Sequence, residues 1–323
     1  MRARRTYWHL EAQKRVPSAY DIGSSRLLYY PERGFEVETP VAEWYRRHQA
    51  GSPLGLTSVG RFRDPRETTY AKYVALAREK EAFVDGLLRA ADESDYDAKL
   101  DPAWLASLER WLPVLLYPCH GLQMASAYVG QLAPTSELVI AFAFQTGDEM
   151  RRVQRLAYRV KQLEARGAGF ASGKATWERA APWQPLRRAI EELLVTYDFG
   201  EALVTLALVV KPLFDAFFMQ HGGRLAEARH DPLLSRLFFS LNEDCRWHES
   251  FTDELVRCVA ASDPGGFAFV ERVARERYAG ARAGFAALEA LWDPGLEPFG
   301  AVMAALDAQI TKRWRALGLE AAA

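Results

Sequence analysis

Beyond residue 65, apolar side chains recur every three or four positions, the spacing that places them on one face of an α-helix. The pattern is clear over residues 70–88. It resumes after Asp101-Pro102, where an N-cap acid precedes a proline at the first helical position. Pro134-Thr135 then interrupts it. The same spacing predicts long helices over residues 102–129, 136–164, 185–220 and 232–261, and two shorter helices over residues 267–292 and 298–317.

Four predicted helices contain about 28–36 residues, and at 1.5 Å per residue each would be roughly 40–50 Å long. Helices of this length are typical of bundles. No stretch alternates apolar and polar residues clearly enough to predict a strand. The sequence therefore predicts an all-α fold, with a long-helix bundle and C-terminal helices over residues 66–323 and an extended arm over residues 1–65.

The most apolar stretch covers residues 202–219 and is interrupted by Lys211, Pro212 and Asp215. A membrane span needs about 20 mostly apolar residues, and a charge near its centre is costly. We therefore expect a buried helix rather than a membrane span. Pro212 predicts a kink in this helix, and His221-Gly222-Gly223 predicts its end.

The arm is rich in prolines and glycines, yet eight aromatic residues fall between positions 5 and 45. Such a segment has to lay its rings on another surface, either the chain's own helices or a second chain. The sequence leaves both alternatives open. Seven of these rings form the candidate set for a subunit interface: Tyr7, Trp8, Tyr20, Tyr29, Tyr30, Trp44 and Tyr45.

Composition excludes several classes of function. The formal net charge of −1 gives no overall field that would attract nucleic acid or an anionic membrane. Cys119, Cys245 and Cys258 form no Cys-x-x-Cys pair, which argues against a zinc site or a disulfide framework and favours the cytoplasm. The basic start is followed by no apolar run, so we do not expect a signal peptide. No glycine-rich phosphate-binding motif is present.

Long-helix bundles raise the question of a metal centre. Some build diiron sites from a Glu on each of two helices and a Glu-x-x-His pair on each of the other two. Residues three apart share a helix face, so the carboxylate and the imidazole converge on the same ions. The one Glu-x-x-His of this sequence, Glu227 to His230, falls in a predicted loop before Pro232. We therefore expect no metal there.

Two motifs in predicted long helices have the outline of such a pair. They are Asp148-Glu149-Met150-Arg151-Arg152 and Glu243-Asp244-Cys245-Arg246-Trp247. Arg152 and Trp247 occupy the positions where the outline has histidine. Arginine stays protonated and tryptophan offers only an N–H donor, so neither binds a metal. The sequence predicts no metal ligands and no catalytic residues in this chain, and buried ion pairs between helices instead.

An ordered set of motifs over about residues 5–260 resembles the β subunits of the hydroxylase component of bacterial multicomponent diiron monooxygenases. The resemblance is greatest to the toluene and alkene monooxygenase branch. The motifs are Arg5-Thr6-Tyr7-Trp8-His9-Leu10, Pro17-Ser18-Ala19-Tyr20-Asp21-Ile22, Trp44-Tyr45, Ser52-Pro53-Leu54, Phe62-Arg63-Asp64-Pro65, His120-Gly121-Leu122-Gln123-Met124-Ala125-Ser126-Ala127-Tyr128-Val129, Asp198-Phe199-Gly200-Glu201-Ala202 and Leu208-Val209-Val210-Lys211-Pro212.

This resemblance implies a ferritin-like fold without diiron ligands, paired with a homologous α subunit that has them. It implies an (αβγ)2 hydroxylase with a small γ subunit, in which the N-terminal arm of β wraps α. An effector protein, a ferredoxin and an NAD(P)H-dependent reductase would act on this complex. Oxygen would be inserted into an aromatic or alkene hydrocarbon at the diiron centre of α, and this chain would be a non-catalytic scaffold.

Two other functions remain open at this stage. A self-sufficient ferritin-like metalloenzyme would use acidic residues with His230 or His248 and would itself hold iron or manganese. The small number of candidate ligands opposes this alternative. A free-standing helical scaffold would have no diiron partner, and only the ordered motif set opposes it.

Overall fold

A computed structural model describes residues 7–25, 38–292 and 297–320 of the chain. Throughout these residues the regular secondary structure is helical, which confirms the predicted fold class. The principal helices are α1 (Tyr70–Glu93), α2 (Leu116–Leu132), α3 (Ser136–Leu163), α4 (Gln184–Leu194), α5 (Phe199–Ala228), α6 (Pro232–Ser262), α7 (Pro264–Ala286) and α8 (Phe299–Ala316).

Shorter helical segments precede and connect the principal helices. They are Trp8–Gln13, Ala19–Ser25, Pro40–Tyr45, Arg46–Ala50, Leu56–Val59, Tyr96–Lys99, Pro102–Glu109, Leu112–Leu115, Ala168–Ser172, Gly173–Arg179, Ala181–Trp183 and Ala287–Leu291.

Helices α2, α3, α6 and α5 form a four-helix bundle, in which each helix contacts the next and α5 contacts α2 again. Residues 133–135 join α2 to α3 and residues 229–231 join α5 to α6, and such short loops make the joined helices antiparallel neighbours. Thr135 and Asp231 cap α3 and α6 by accepting a backbone N–H three residues later. These local caps explain why the predicted starts of both helices agree with the structure.

The segment 185–220, predicted as one helix, is divided in the structure. Residues 195–198 separate α4 from α5, and the Asp198 carboxylate caps α5 by accepting the N–H of Glu201 at 2.9 Å. Ser52 donates its hydroxyl to the same carboxylate oxygen at 3.0 Å. The prediction was wrong because this break depends on a cap that a distant residue holds in place.

The end of α5 also differs from the prediction. The helix continues past His221-Gly222-Gly223 and ends at Ala228. A Cβ atom on Gly222 would lie 3.1 Å from the ring of Phe238, and one on Gly223 would lie 3.3 Å from the ring of Phe239. The two glycines therefore permit close packing of α5 on α6 rather than ending the helix.

Helix α5 contains π-helical turns at Thr205–Val210 and Asp215–His221, on either side of Pro212. The helix is continuous through Pro212, and the kink that the sequence predicted there stays a prediction. Proline has no N–H to donate to the carbonyl four residues earlier, which belongs to Leu208. The first of the two π-helical turns contains Leu208, where the regular hydrogen-bond pattern cannot be completed.

Burial of α5 agrees with the sequence. The helix is long and apolar enough to cross a membrane, with a mean hydropathy of 1.9 over its most apolar window. All of that window is buried inside the protein, which confirms the prediction of a buried core helix.

Part of the predicted N-terminal arm packs on the bundle. Leu54 and Val59 are fully buried and Phe62 is nearly so. All three belong to the same hydrophobic core as the bundle helices. The boundary at residue 65 stays a prediction, since the described residues share one core on both sides of it.

The C-terminal helices cover one side of the bundle. Helix α7 contacts α4, α5 and α6, and α8 contacts α5. Asp263 caps α7 by accepting the N–H of Gly266 at 2.9 Å, so this helix begins at Pro264 rather than near residue 267.

Candidate functional site

Four charged side chains lie at the centre of the bundle: Glu149, Arg152, Lys211 and Asp215. None of them is more than 3% exposed. Glu149 and Arg152 are three residues apart on α3, and Lys211 and Asp215 are four apart on α5, so each pair shares a helix face. We call these four residues the inner ring.

Each carboxylate of the inner ring contacts both cations, using one oxygen for each. Lys211 Nζ lies 3.0 Å from Glu149 Oε1 and 2.5 Å from Asp215 Oδ2. Arg152 Nη1 lies 3.3 Å from Glu149 Oε2 and 2.9 Å from Asp215 Oδ1. The Lys211–Asp215 contact is also a hydrogen bond, and the other three are ion pairs. These contacts close a loop between α3 and α5 in which two positive charges balance two negative charges.

The charges of the inner ring stabilise one another. Burial opposes ionisation of Asp215, but the positive charges of Lys211 and Arg152 outweigh it and lower the pKa of this carboxyl. Burial likewise opposes the charge of Lys211, yet the carboxylates, Asp215 first, raise the pKa of its ammonium group above the ordinary value. Both residues are therefore charged at neutral pH.

Helix α6 contributes Cys245 and His248, three residues apart, to the same centre. Arg152 Nη2 lies 2.6 Å from Cys245 Sγ, to which it donates, and His248 Nδ1 lies 3.9 Å from Glu149 Oε1. This pair was not predicted from the sequence, although its i, i+3 spacing is that of the Glu-x-x-His motif with cysteine in place of glutamate.

Trp247, which stands at the histidine position of the motif outline, makes other contacts than its neighbour His248. The indole N–H of Trp247 donates to Asp64 Oδ1 at 3.3 Å, and its ring packs against Tyr73 and Phe144. His248, the next residue, contacts Glu149. The motif outline could not show which of the two neighbouring residues faces the bundle centre.

His248 also bonds to Asp148, which lies beside Glu149 on α3. His248 Nε2 is 3.0 Å from Asp148 Oδ2, and the Tyr73 hydroxyl donates to Asp148 Oδ1 at 3.0 Å. Burial, followed by the charge of Lys211, lowers the pKa of His248 to about 3, so the imidazole is neutral. Burial raises the pKa of Asp148 to about 6. At pH 7 the ionised Asp148 therefore accepts the Nε2 proton, and His248 Nδ1 keeps its lone pair.

A second set of ion pairs surrounds Asp244 of α6. Arg151 Nη1 donates to Asp244 Oδ2 at 2.8 Å, and Lys80 donates to Asp244 Oδ1. Arg151 Nε also donates to Glu81 of α1 at 2.5 Å. Together with Arg152–Asp215, these contacts confirm the prediction that the acids and arginines of the two motifs form buried ion pairs between helices.

The inner ring does not fit a diiron centre. Its carboxylate oxygens are already occupied by permanently charged side chains, and a metal ion would have to displace both cations. Among residues 7–25, 38–292 and 297–320, no group of three or more His, Cys, Asp or Glu side chains could hold a metal ion. The carboxylate of Glu227 lies elsewhere, where it accepts the Ser235 hydroxyl at 2.9 Å, and His230 follows α5 with a positive φ of 56°.

Some of the candidate interface residues pack on the chain's own helices, and others are exposed. The Tyr20 ring is 3% exposed and its hydroxyl accepts the N–H of Asp64 at 3.2 Å, so this ring packs on the chain's own body. Tyr45 is half-buried and donates to the carbonyl of Gln131 at 3.1 Å. Tyr7 and Trp44 are exposed by 36% and 37%. The Trp8 side chain and both Tyr29 and Tyr30 lie outside the described part of the chain.

Trp44 belongs to a partly exposed aromatic group that was not predicted as a unit from the sequence. Its ring lies 4.4 Å from the ring of His48 and 4.9 Å from that of Tyr197. The hydroxyl of Tyr128 donates to the Tyr197 carbonyl at 2.7 Å and so helps to fix the backbone that carries the Tyr197 ring. We call Trp44, His48 and Tyr197 the aromatic patch.

The fold and its buried centre define a ferritin-like helical bundle whose central carboxylates are balanced by side-chain cations. The family model for methane, phenol and alkene hydroxylases matches residues 44–263. The β subunit of the hydroxylase component of the toluene-4-monooxygenase system of Ectopseudomonas mendocina is 32% identical over 275 residues, which cover 83% of this chain and 84% of that protein. The hydroxylase small subunit of propane 2-monooxygenase of Mycolicibacterium goodii is 28% identical over 164 residues, covering 49% and 44%.

Two solved structures superpose on this chain. A chain of toluene 4-monooxygenase, in a structure with toluene bound in the resting active site, superposes with a TM-score of 0.83 at 30% identity, covering 90% of this chain and 98% of that one. A chain of xenon-pressurised phenol hydroxylase from Pseudomonas sp. OX1 has a TM-score of 0.80 at 17% identity, covering 98% and 95%, and shows the shared fold. The chain belongs to the methane/phenol/alkene hydroxylase family and is a hydroxylase subunit of a multicomponent monooxygenase.

Proposed function

We propose that this chain is the non-catalytic β subunit that supports a diiron-bearing α subunit in an (αβγ)2 hydroxylase. The hydroxylase would insert oxygen into an aromatic or alkene hydrocarbon. The observation that carries the proposal is the inner ring, where Lys211 and Arg152 occupy the carboxylate oxygens that a diiron centre would need. The family match and the 32% identical toluene-4-monooxygenase subunit support the hydroxylase context. The free thiols Cys119, Cys245 and Cys258 support a cytoplasmic location.

Apolar surface that is exposed within the described part of the chain supports an assembly role. Helix α1 has 24 residues, of which only Val84, Leu88 and Ala91 are buried. Tyr70, Val74 and Phe83 of the same helix are 75%, 43% and 51% exposed. Apolar surface of this kind is usually covered in an obligate complex. With the aromatic patch, α1 is our candidate contact surface for the other subunits.

Native mass spectrometry with iron counting tests the proposal directly. A tag on this chain should recover, from its own host, a complex with a larger chain and a small chain, containing about two irons per larger chain. Dissociation of the complex should leave this chain without iron. A chain recovered alone with about two irons would overturn the proposal in favour of a self-sufficient metalloenzyme. Recovery alone without iron would favour a free-standing scaffold.

Point variants test the two contact surfaces without removing the packed part of the arm. Trp44→Ala should weaken recovery of the larger chain, because central aromatic residues often contribute about 2 kcal/mol or more to an interface. Phe83→Ala should do the same for α1. Arg89→Ala, which changes an exposed residue on α1, is the matched control. Unchanged recovery with both aromatic variants would place the interface elsewhere.

A further inference from the structure

The contacts within the inner ring follow the connectivity of a carboxylate-bridged pair of metal ions. In such a centre each bridging carboxylate gives one oxygen to each ion. Glu149 gives Oε1 to Lys211 and Oε2 to Arg152, and Asp215 gives Oδ2 to Lys211 and Oδ1 to Arg152. The two nitrogen atoms thus lie where two bridged cations would lie. We propose that Lys211 Nζ and Arg152 Nη1 take the places of two metal ions and that these two side chains keep the chain metal-free.

His248 supplies independent support, because its geometry is that of a metal ligand without a metal. The imidazole is 2% exposed, and Nδ1 has no hydrogen-bond partner among the described residues. The opposite nitrogen, Nε2, bonds to the carboxylate of Asp148 at 3.0 Å. Histidine ligands typically donate one ring N–H to a carboxylate in this way and present the other nitrogen to the ion. Here Nδ1 lies 3.9 Å from Glu149 Oε1.

Charge explains why a metal is excluded. The two cations balance Glu149 and Asp215, and the positive charge of Lys211 helps to hold His248 neutral. A divalent ion entering this centre would meet two fixed positive charges and no free carboxylate. If both cations were removed, the negative charges of the two buried carboxylates would be unbalanced. A divalent ion bound by these carboxylates and by the neutral imidazole would restore the charge balance.

Space for a water ligand is already present beside the ring. A small cavity of about 10 Å³ is lined by Gln145, Lys211, Asp215 and His248, with other residues of α5 and α6. This is close to the volume that one water molecule requires. Shortening the two cationic side chains would enlarge this space at the position where the ion would bind.

The test uses the full-length chain with Lys211→Met and Arg152→Met together, and Mn²⁺ as the probe. Free Mn²⁺ has a six-line electron paramagnetic resonance signal, and its loss on binding gives the affinity. We expect the double variant to bind Mn²⁺ at least about tenfold more tightly than the wild-type chain. Mn²⁺ should also raise the melting temperature of the double variant and leave that of the wild type unchanged.

Two further variants make the result specific. Adding Glu149→Gln to the double variant should abolish Mn²⁺ binding, because it removes a bridging carboxylate. Arg159→Met is the matched control, since Arg159 is an equally buried cation of α3 whose loss leaves the single carboxylate of Asp97. This control should bind Mn²⁺ no better than the wild type. Equal binding by control and double variant would overturn the proposal.

The remaining outcomes are also decisive. A folded double variant that does not bind Mn²⁺ overturns the proposal. If the double variant does not fold even with Mn²⁺, Lys211→Met alone decides, and binding no tighter than wild type overturns the proposal. The metal-exclusion role rests on the non-catalytic function proposed above, but the two fail differently. Tightly bound iron in the purified wild-type chain would overturn that function, whereas metal-free variants would overturn only the role of Lys211 and Arg152.

Discussion

Trp314 of α8 donates its indole N–H to the carbonyl oxygen of Leu208 at 3.2 Å. Leu208 is the residue four positions before Pro212, so its carbonyl is the one for which the proline has no N–H. The Trp314 side chain is fully buried. The C-terminal helix is thus bonded to the core helix at the point where the backbone of the core helix is irregular.

Replacement of Trp314 should measure this connection. Trp314→Phe removes the buried donor and part of the packed ring, and should lower the free energy of unfolding by about 1–3 kcal/mol. Urea denaturation followed by circular dichroism gives this value. Trp292→Phe is the control, because Trp292 also donates to a carbonyl, that of Glu297, but in an exposed bond. Equal losses in the two variants would contradict a special role for the Leu208 bond.

A pH-dependent contribution to stability should come from His221. Burial, and then the neighbouring Arg224, lower the pKa of His221 from 6.5 to about 4. Because the unfolded chain binds this proton more tightly, the contribution is complete above pH 6.5 and is lost as pH falls toward 4. The free energy of unfolding should decrease by up to about 3 kcal/mol over that range from this group alone.

Denaturation of His221→Gln between pH 7 and pH 4 isolates this effect. The variant should have a shallower decrease than the wild type, whatever its stability at pH 7. His120→Gln, which changes an exposed histidine, is the control substitution for loss of an imidazole. If the His221 variant and the wild type have parallel profiles, His221 titrates alike in the folded and unfolded chains.

Two glycines on α7 should respond in opposite directions to the same substitution. A Cβ on Gly284 would lie 2.9 Å from the Leu186 Cα of α4, so Gly284→Ala should cost about 1–3 kcal/mol by forcing the helices apart. Nothing lies within 4 Å of the corresponding position on Gly280. Gly280→Ala should therefore stabilise the chain by about 0.5–1 kcal/mol. Chemical denaturation of both variants checks the pair, and a loss in both would mean that helix packing at Gly284 is not the cause.

Thiol reactivity should separate the three cysteines. Cys119 and Cys245 are buried, and burial raises the pKa of the Cys119 thiol to about 12 and also raises that of Cys245. Cys258 is half-buried and should react first with a thiol reagent. The native chain should show one fast phase that Cys258→Ser removes, with the other two thiols reacting only in denaturant. A fast phase that survives in Cys258→Ser would show that the bundle opens at its centre.

The sequence predicted the helices best where their signals are local. Helices α3 and α6 begin at the predicted residues because Thr135 and Asp231 cap them through bonds three residues long. The break before α5 could not be predicted in the same way, because Ser52 orients the capping Asp198 from a distant part of the chain. Glycines that pack against Phe238 and Phe239 look the same in sequence as glycines that end a helix.

The candidate site was predicted only in part. Acid–arginine motifs on two helices correctly indicated buried ion pairs. The sequence also contained Lys211 and Asp215 as charges four residues apart in the most apolar helix, but their contacts with α3 exist only in the folded bundle. Whether His248 or Trp247 faces the inner ring depends on how α6 is rotated about its axis. The sequence spacing does not determine that rotation.

The inner ring has a consequence for how this subunit is made in the cell. Its balancing charges are covalent parts of the chain, so the bundle reaches its final electrostatic state as soon as translation and folding are complete. If Lys211 and Arg152 exclude metal ions as proposed, folding of this chain draws nothing from the cellular iron supply. Under the proposed function, iron starvation would therefore limit the maturation of the diiron partner and would leave this subunit folded.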